Sequence, residues 1–164
     1  MENEVIKLSN GNVSYNNLVY YKLMYLPLYG LQYLYCCDNS RRNILDIKTN
    51  KMLFKNDVLN ILSPKYGWIK YFENNKVNFI NIKGKILYPN GFKTCSSFYK
   101  GFAYIALDNY AYNMINTKGK FVFDIWFDNI RPFSSEGNIY YAELNNTKYL
   151  LNPDKKEIYR EYGI

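Results

Sequence analysis

Glycine, asparagine and lysine return at the same places along this chain, and that punctuation constrains the fold more than any other feature. Phe79-Ile80-Asn81-Ile82 runs into a Lys83-Gly84-Lys85 turn, and Ile86-Leu87-Tyr88 leaves it. A Pro89-Asn90-Gly91 loop follows, and Phe102 to Asp108 returns after Gly101. Downstream, Met114 to Phe121 repeats Phe79 to Ile86 almost residue for residue. Upstream, Ile44 to Leu53 is the same hairpin with one extra residue and Asn50 near the glycine's place. Leu150 to Ile158 starts another copy, and Ile6 to Val13 is a fainter one. The turn glycines Gly84 and Gly119 stand 35 residues apart, and a second set, Gly30, Gly67, Gly101 and Gly137, falls at steps of 37, 34 and 36. A repeat of this length, made of short strands and turns, marks an array whose units cannot bury a face alone.

At these residues the chain resembles the tryptophan-glycine (WG) repeat family, whose units read W-G-f-I-n-x-x-G-k and then F-x-x-G-l-a. Phe79-Ile80-Asn81 through Gly84-Lys85 carries the first half, and Phe98-x-x-Gly101-Phe102-Ala103 the second. Phe133 to Gly137 matches with one extra residue. The naming dipeptide is absent: Val77-Asn78, Tyr112-Asn113 and Arg42-Asn43 stand where Trp-Gly would, and Gly67-Trp68 has the order reversed. The resemblance covers roughly residues 40 to 164 and implies a repeat β fold rather than any one activity.

The expected fold is all-β: an antiparallel meander of four to five units of about 35 residues, each about three strands. Spacing leaves open whether the units form a twisted repeat sheet or a partial propeller. The units divide a single β-repeat domain, 1–164, at approximately 1–38 (a divergent cap), 39–75, 76–109, 110–146 and 147–164 (partial). Asp38-Asn39-Ser40, Glu73-Asn74-Asn75-Lys76, Asp108-Asn109 and Asn145-Asn146-Thr147 are the corners between units, because Asn and Asp tolerate positive φ and bond their own backbone. The first segment carries two readings. Ser14 can cap one short N-terminal helix running to Met24, or the tyrosine-rich alternation through Leu31 to Tyr35 extends the strand pattern to the start.

With 19 Tyr and 10 Phe among 164 residues, aromatic rings carry the core in place of long aliphatic runs. Richness in Lys, Asn, Ile and Tyr fits an AT-rich genome, of a bacterium or a phage. The first residues lack a basic region followed by an apolar one, so no signal peptide is expected. The apolar stretch Leu23 to Cys37 is too short, and too interrupted by Pro27 and Gly30, to span a bilayer. Cys36, Cys37 and Cys95 are an odd number of thiols, read as small buried side chains in a reduced, cytoplasmic compartment.

No histidine is present, which removes the commonest general base and zinc ligand, and the adjacent cysteines lack ligand spacing. No metal, cofactor or catalytic residue is expected. The one candidate for enzymatic work is a carboxylate-dependent glycosidase using Asp124 and Asp128 around Trp126, with carboxyls roughly 5 Å apart for retention or about 6.5–9.5 Å for inversion. The glycines sit in hairpins and build no phosphate loop.

Charge points elsewhere. Residues 39–100 hold 12 basic and 3 acidic groups, whereas the flanks, 1–38 and 101–164, are each one charge negative. The expected binding face is therefore in this middle segment: Arg41, Arg42, Lys48, Lys51, Lys55, Lys65, Lys70, Lys76, Lys83 and Lys85, with Tyr66, Trp68 and Tyr71 exposed for stacking. Turn lysines also guard sheet edges without binding anything. The reading is a non-catalytic module for a protein or nucleoprotein, with RNA an open ligand and a phage inhibitor of a host RNA-guided nuclease as one form. The alternative is direct binding of single-stranded RNA or DNA.

Overall fold

The computed structural model describes residues 5–15, 17–26, 30–36, 41–133 and 138–161. Among them no helix occurs, and the strands follow chain order in four sheets, giving the expected antiparallel meander. The first sheet holds β1 (Ile6–Lys7), β2 (Val13–Tyr15), β3 (Leu18–Leu26), β4 (Leu31–Cys36), β5 (Arg42–Asp46) and β6 (Lys51–Met52). The second holds β7 (Asn60–Ile61), β8 (Trp68–Glu73) and β9 (Lys76–Asn81); the third, β10 (Thr94–Cys95), β11 (Phe102–Ala106) and β12 (Tyr112–Asn116). The fourth holds β13 (Asn129–Pro132), β14 (Tyr140–Leu144), β15 (Thr147–Asn152) and β16 (Glu157–Arg160).

The N-terminal helix does not form. Asn17 takes a positive φ of 61°, which reverses the chain where a helix needs the right-handed region, and Ser14 pairs with Val19 across the turn. Leu18-Val19-Tyr20-Tyr21 then supplies the β-branched and aromatic side chains that favour a pleated surface. A second difference lies after the tips. The strand expected at Ile86-Leu87-Tyr88 is reduced to one bridge, Ile80 to Ile86, and the equivalent segment downstream to Ile115–Phe121. The sheets are also offset from the sequence repeat by one strand: β10 and β11 lie in the 76–109 unit, while their partner β12 opens the next.

The chain gathers into two compact units, residues 1–74 with 79–86 and residues 75–78 with 87–164. In the first, Leu31, Tyr33, Ile44, Phe54, Val58, Ile69, Tyr71 and Ile80 form one buried cluster. Val5, Val13, Tyr20, Leu34 and Leu45 form another. In the second unit the core is Met114, Val122, Phe123, Phe127, Ile130, Tyr140, Ala142 and Leu151, with Phe127 edge-on to Phe123 and Tyr149. Each such ring removed from water contributes about 2–3 kcal/mol.

Candidate binding surface

Each tip is built by one acceptor side chain. Asn81 Oδ1 accepts from the backbone N–H groups of Lys83 and Lys85, both at 2.9 Å. Asn116 does the same for Lys118 and Lys120 at 2.9 and 3.1 Å. Asp46 receives Lys48 and Thr49, and Asn152 receives Lys155. These acceptors recur at steps of 35, 35 and 36 residues. The glycine N–H closes each turn onto the acceptor residue's carbonyl, Gly84 to Asn81 and Gly119 to Asn116, at φ of 79° and 76°. The Gly11 N–H bonds to the Leu8 carbonyl in the same way, at a φ of 82°. With side-chain oxygens spent on backbone N–H groups, the lysines at the tips (48, 51, 83, 85, 118, 120, 155 and 156) all lie exposed.

The middle-segment residues fall into distinct settings. Arg41, Lys55, Lys65 and Lys76 are exposed, Lys76 belonging to the second unit and the others to the first. Arg42 is half-buried and donates from Nη1 to the Arg41 carbonyl at 3.2 Å. Lys48 runs its methylene stem past Gly30, where an added Cβ would meet Cε at 3.3 Å. Along β8 the pleat puts Trp68, Lys70 and Phe72 on one face, half-buried, with Lys70 Nζ 5.5 Å from the Phe72 ring centroid. Ile69 and Tyr71 take the other face. Tyr71 is therefore not an exposed stacking residue: it is 4% exposed, and its ring lies 4.9 Å from Phe54. Tyr66, 56% exposed, stands outside at the turn joining Lys65 to Trp68. The structure thus brings together Lys48 with Lys51, Lys83 with Lys85, and Lys65 with Trp68 and Lys70.

Asp124 is exposed, and Asp128 spends Oδ2 on the Asn145 N–H at 2.7 Å, tying the loop to the β14–β15 turn. Trp126 packs its ring edge on Phe121 at 5.0 Å. Cys95 is buried in β10, whereas the side chain of Cys36 and all of Cys37 lie outside the described residues, as does the Asp38-Asn39-Ser40 corner.

The residues that hold the tips in place are asparagines outside the expected binding face. Asn43, Asn78 and Asn113 are buried, 35 residues apart, at the position of the glycine in the missing Trp-Gly. Asn113 Nδ2 donates to the Phe123 and Ile125 carbonyls, and its Oδ1 accepts from Met114 and Phe123 N–H. Asn43 clips Phe54 in the same manner and also donates to Asp57, and Asn78 reaches the Tyr88 carbonyl. The 35-residue recurrence of asparagine was the available signal.

Residues 79–110 and 114–147 each match the family model of the WG containing repeat. Two stretches of the chain are therefore similar to the WG containing repeat. The matched stretches hold the Lys83–Lys85 and Lys118–Lys120 tips, and a buried asparagine, Asn78 or Asn113, stands just before each. No curated protein matches the chain. Among solved structures, Kluyveromyces lactis Hsv2 superposes with a TM-score of 0.46 at 10% identity, over 90% of this chain and 58% of that one. A KlHsv2 form with loop 6CD replaced by a Gly-Ser linker gives 0.46 at 9%, over 92% and 63%. BamB from Moraxella catarrhalis gives 0.37 at 10%, over 93% and 52%. The chain spans less than two thirds of the length of each.

Proposed function

We propose that the chain is a non-catalytic binding module that engages an acidic protein or a nucleoprotein, RNA included, in the cytoplasm through the basic residues of 39–100. The observation that carries this reading is the construction of the tips, where one Asn holds the backbone and the side chains of Lys83 and Lys85, like those of Lys118 and Lys120, are exposed. The acids of the same segment add support. Asp57 accepts from Tyr20 Oη at 2.6 Å and from Asn43 Nδ2 at 2.9 Å, and Asp46 is occupied by its own turn. Two of the three carboxylates of the segment are thereby fixed by neighbours within the chain, and its 12 basic against 3 acidic groups attract an anionic partner. Basic charge and a Lys-, Asn-, Ile- and Tyr-rich composition favour a phage-encoded inhibitor of a host RNA-guided nuclease as the specific form.

A second reading, direct binding of single-stranded nucleic acid, draws on Tyr66, exposed beside Lys65 and Trp68, a pairing of ring and cation suited to base stacking. Capture from host lysate separates them. Lys55, Lys65, Lys83 and Lys85 changed together to Glu should abolish capture, and nuclease treatment should leave capture intact for a protein partner and remove it for a nucleic acid. Retention of the partner by the fourfold variant overturns both. A guide-RNA-directed cleavage assay, with and without the chain, tests the specific form.

A further inference from the structure

The two faces of the fourth sheet meet different surroundings. Ile130, Ala142 and Tyr149 pair across β13, β14 and β15, and with Tyr140 and Leu151 they belong to the core of the second unit. The opposite face carries Arg131, Tyr141, Leu150 and Tyr159, one residue from each strand, in a single register row. On either side of that row the same face gains Phe133, Glu143, Lys148, Glu157 and Glu161. Phe133 lies edge-on to the Tyr141 ring at 4.8 Å, and the Arg131 guanidinium sits 4.9 Å from its centroid. Phe133 is 49% and Tyr159 50% exposed, and Tyr141 and Leu150 are half-buried.

The third sheet shows what such a face meets in this fold. Tyr104 pairs there with Met114, two residues before the tip acceptor Asn116. Tyr141 pairs with Leu150, two residues before the tip acceptor Asn152. Met114 is fully buried, because it shares a core with Ile130, Ala142 and Leu151 of the next sheet. Among the described residues no further sheet follows the fourth, and Leu150 keeps contact with water. A row of rings and aliphatic groups built like a covered one, yet left open, marks an interaction surface.

Its charges say what covers it. Arg131 stands on β13 at one edge of the sheet, and Glu157 and Glu161 flank Tyr159 on the β16 side at the other. Glu143 and Lys148 face each other on the two central strands. A two-fold axis running along the strands between β14 and β15 lays β13 of one copy over β16 of another, and β14 over β15. Tyr141 then meets Leu150, Glu143 meets Lys148, and Arg131 enters between Glu157 and Glu161, each contact being made twice. Four strands about 4.8 Å apart and about five residues long bury roughly 1,000 Å² over the two copies. That is the low end of specific interfaces, so the association is weak.

We propose that this face of the fourth sheet binds the same face of a second copy of the chain, in an isologous dimer. The proposal uses none of residues 39–100 and does not rest on the function proposed above. Sedimentation velocity of the intact chain, over a series from low micromolar to near millimolar, is the experiment. A reversible monomer–dimer equilibrium is expected. Arg131→Glu in one variant, and Glu157→Lys with Glu161→Lys in another, should each weaken it about tenfold, since like charges then oppose one another at both ends. Mixing the two variants should restore dimers, because the mixed pair again sets acid against base at each end. These changes fall on exposed or half-buried side chains, so melting temperatures should stay within a degree or two. A chain that stays monomeric throughout overturns the proposal. So do association that grows beyond the dimer, dimers that Arg131→Glu leaves undiminished, and failure of the mixed, folded variants to restore them. Arg131→Glu alters one exposed side chain and decides the matter even where the double variant does not fold.

Discussion

Asn113 shows how one residue sets the local structure of a repeat. Its side chain makes four hydrogen bonds to backbone groups of the loop after the tip and of the next residue in its own strand. Asn113→Ala would remove the partner of the Met114 and Phe123 N–H groups and of two carbonyls in a buried place, at about 1–3 kcal/mol for each group that water cannot reach. The expected loss is about 2–4 kcal/mol in urea unfolding, and a change under half a kcal/mol would show that the clip contributes nothing. Tyr140 makes a pH-dependent contribution. Burial, then Tyr99, Tyr104 and Asp154, push its hydroxyl up to about 12 from the usual 10.0. Between those values the unfolded chain releases a proton that the folded chain keeps, so stability is full below pH 10 and falls as pH rises to 12. The total is about 2–3 kcal/mol. Urea midpoints at pH 9 and 11.5 should therefore fall further for the native chain than for Tyr140→Phe; equal falls would remove Tyr140 as the source.

At the scale of the element, turns govern. Asn74-Asn75 and Asn145-Asn146 carry paired positive φ values of 48° and 59°, and of 50° and 60°, the geometry whose twist matches that of the flanking strands. Lys100-Gly101 and Tyr66-Gly67 do the same. Asparagine and glycine at these corners were readable in advance because few residues accept that conformation. The two repeat tips look identical in sequence yet differ in surroundings. A Cβ at Gly84 would meet nothing within 4 Å, whereas at Gly119 it would come within 2.8 Å of Leu87 Cδ1. Gly84→Ala should cost about 1 kcal/mol for its φ alone. Gly119→Ala should cost about 1 kcal/mol more, and Leu87→Ala in that background should recover part of the difference. Equal losses for the two glycines would mean that Leu87 yields freely.

At the scale of the whole molecule, charge is the feature that composition alone discloses. The fourfold Lys55, Lys65, Lys83, Lys85→Glu variant changes only exposed side chains, so its melting temperature should stay within a degree or two. If single-stranded RNA is the ligand, four to six phosphate contacts give a log–log slope of affinity against salt of about −3 to −4, which the variant should flatten. Reversing Lys118, Lys120, Lys155 and Lys156 should do less, because residues 101–164 already carry one more acid than base. A slope insensitive to either set would reduce the lysines to edge guards.

The sequence by itself determined the all-β meander, the repeat, its tips and its corners, because each depends on local backbone conformation that Gly, Asn and Asp report directly. Asp46, Asn81, Asn116 and Asn152 build their turns with bonds that span at most four residues. Tertiary structure alone decided which face of a strand points inward. Tyr71 and Trp68 are both aromatic on one strand, and only packing against Phe54 puts Tyr71 in the core. It decided that Ser14 pairs in a ladder instead of capping a helix, since a cap and a turn begin with the same residues. It also decided the one-strand offset between repeat and sheet, because strands of successive units are brought into one ladder. Burial is a property of the partners a residue meets, and those partners lie beyond the reach of local pattern.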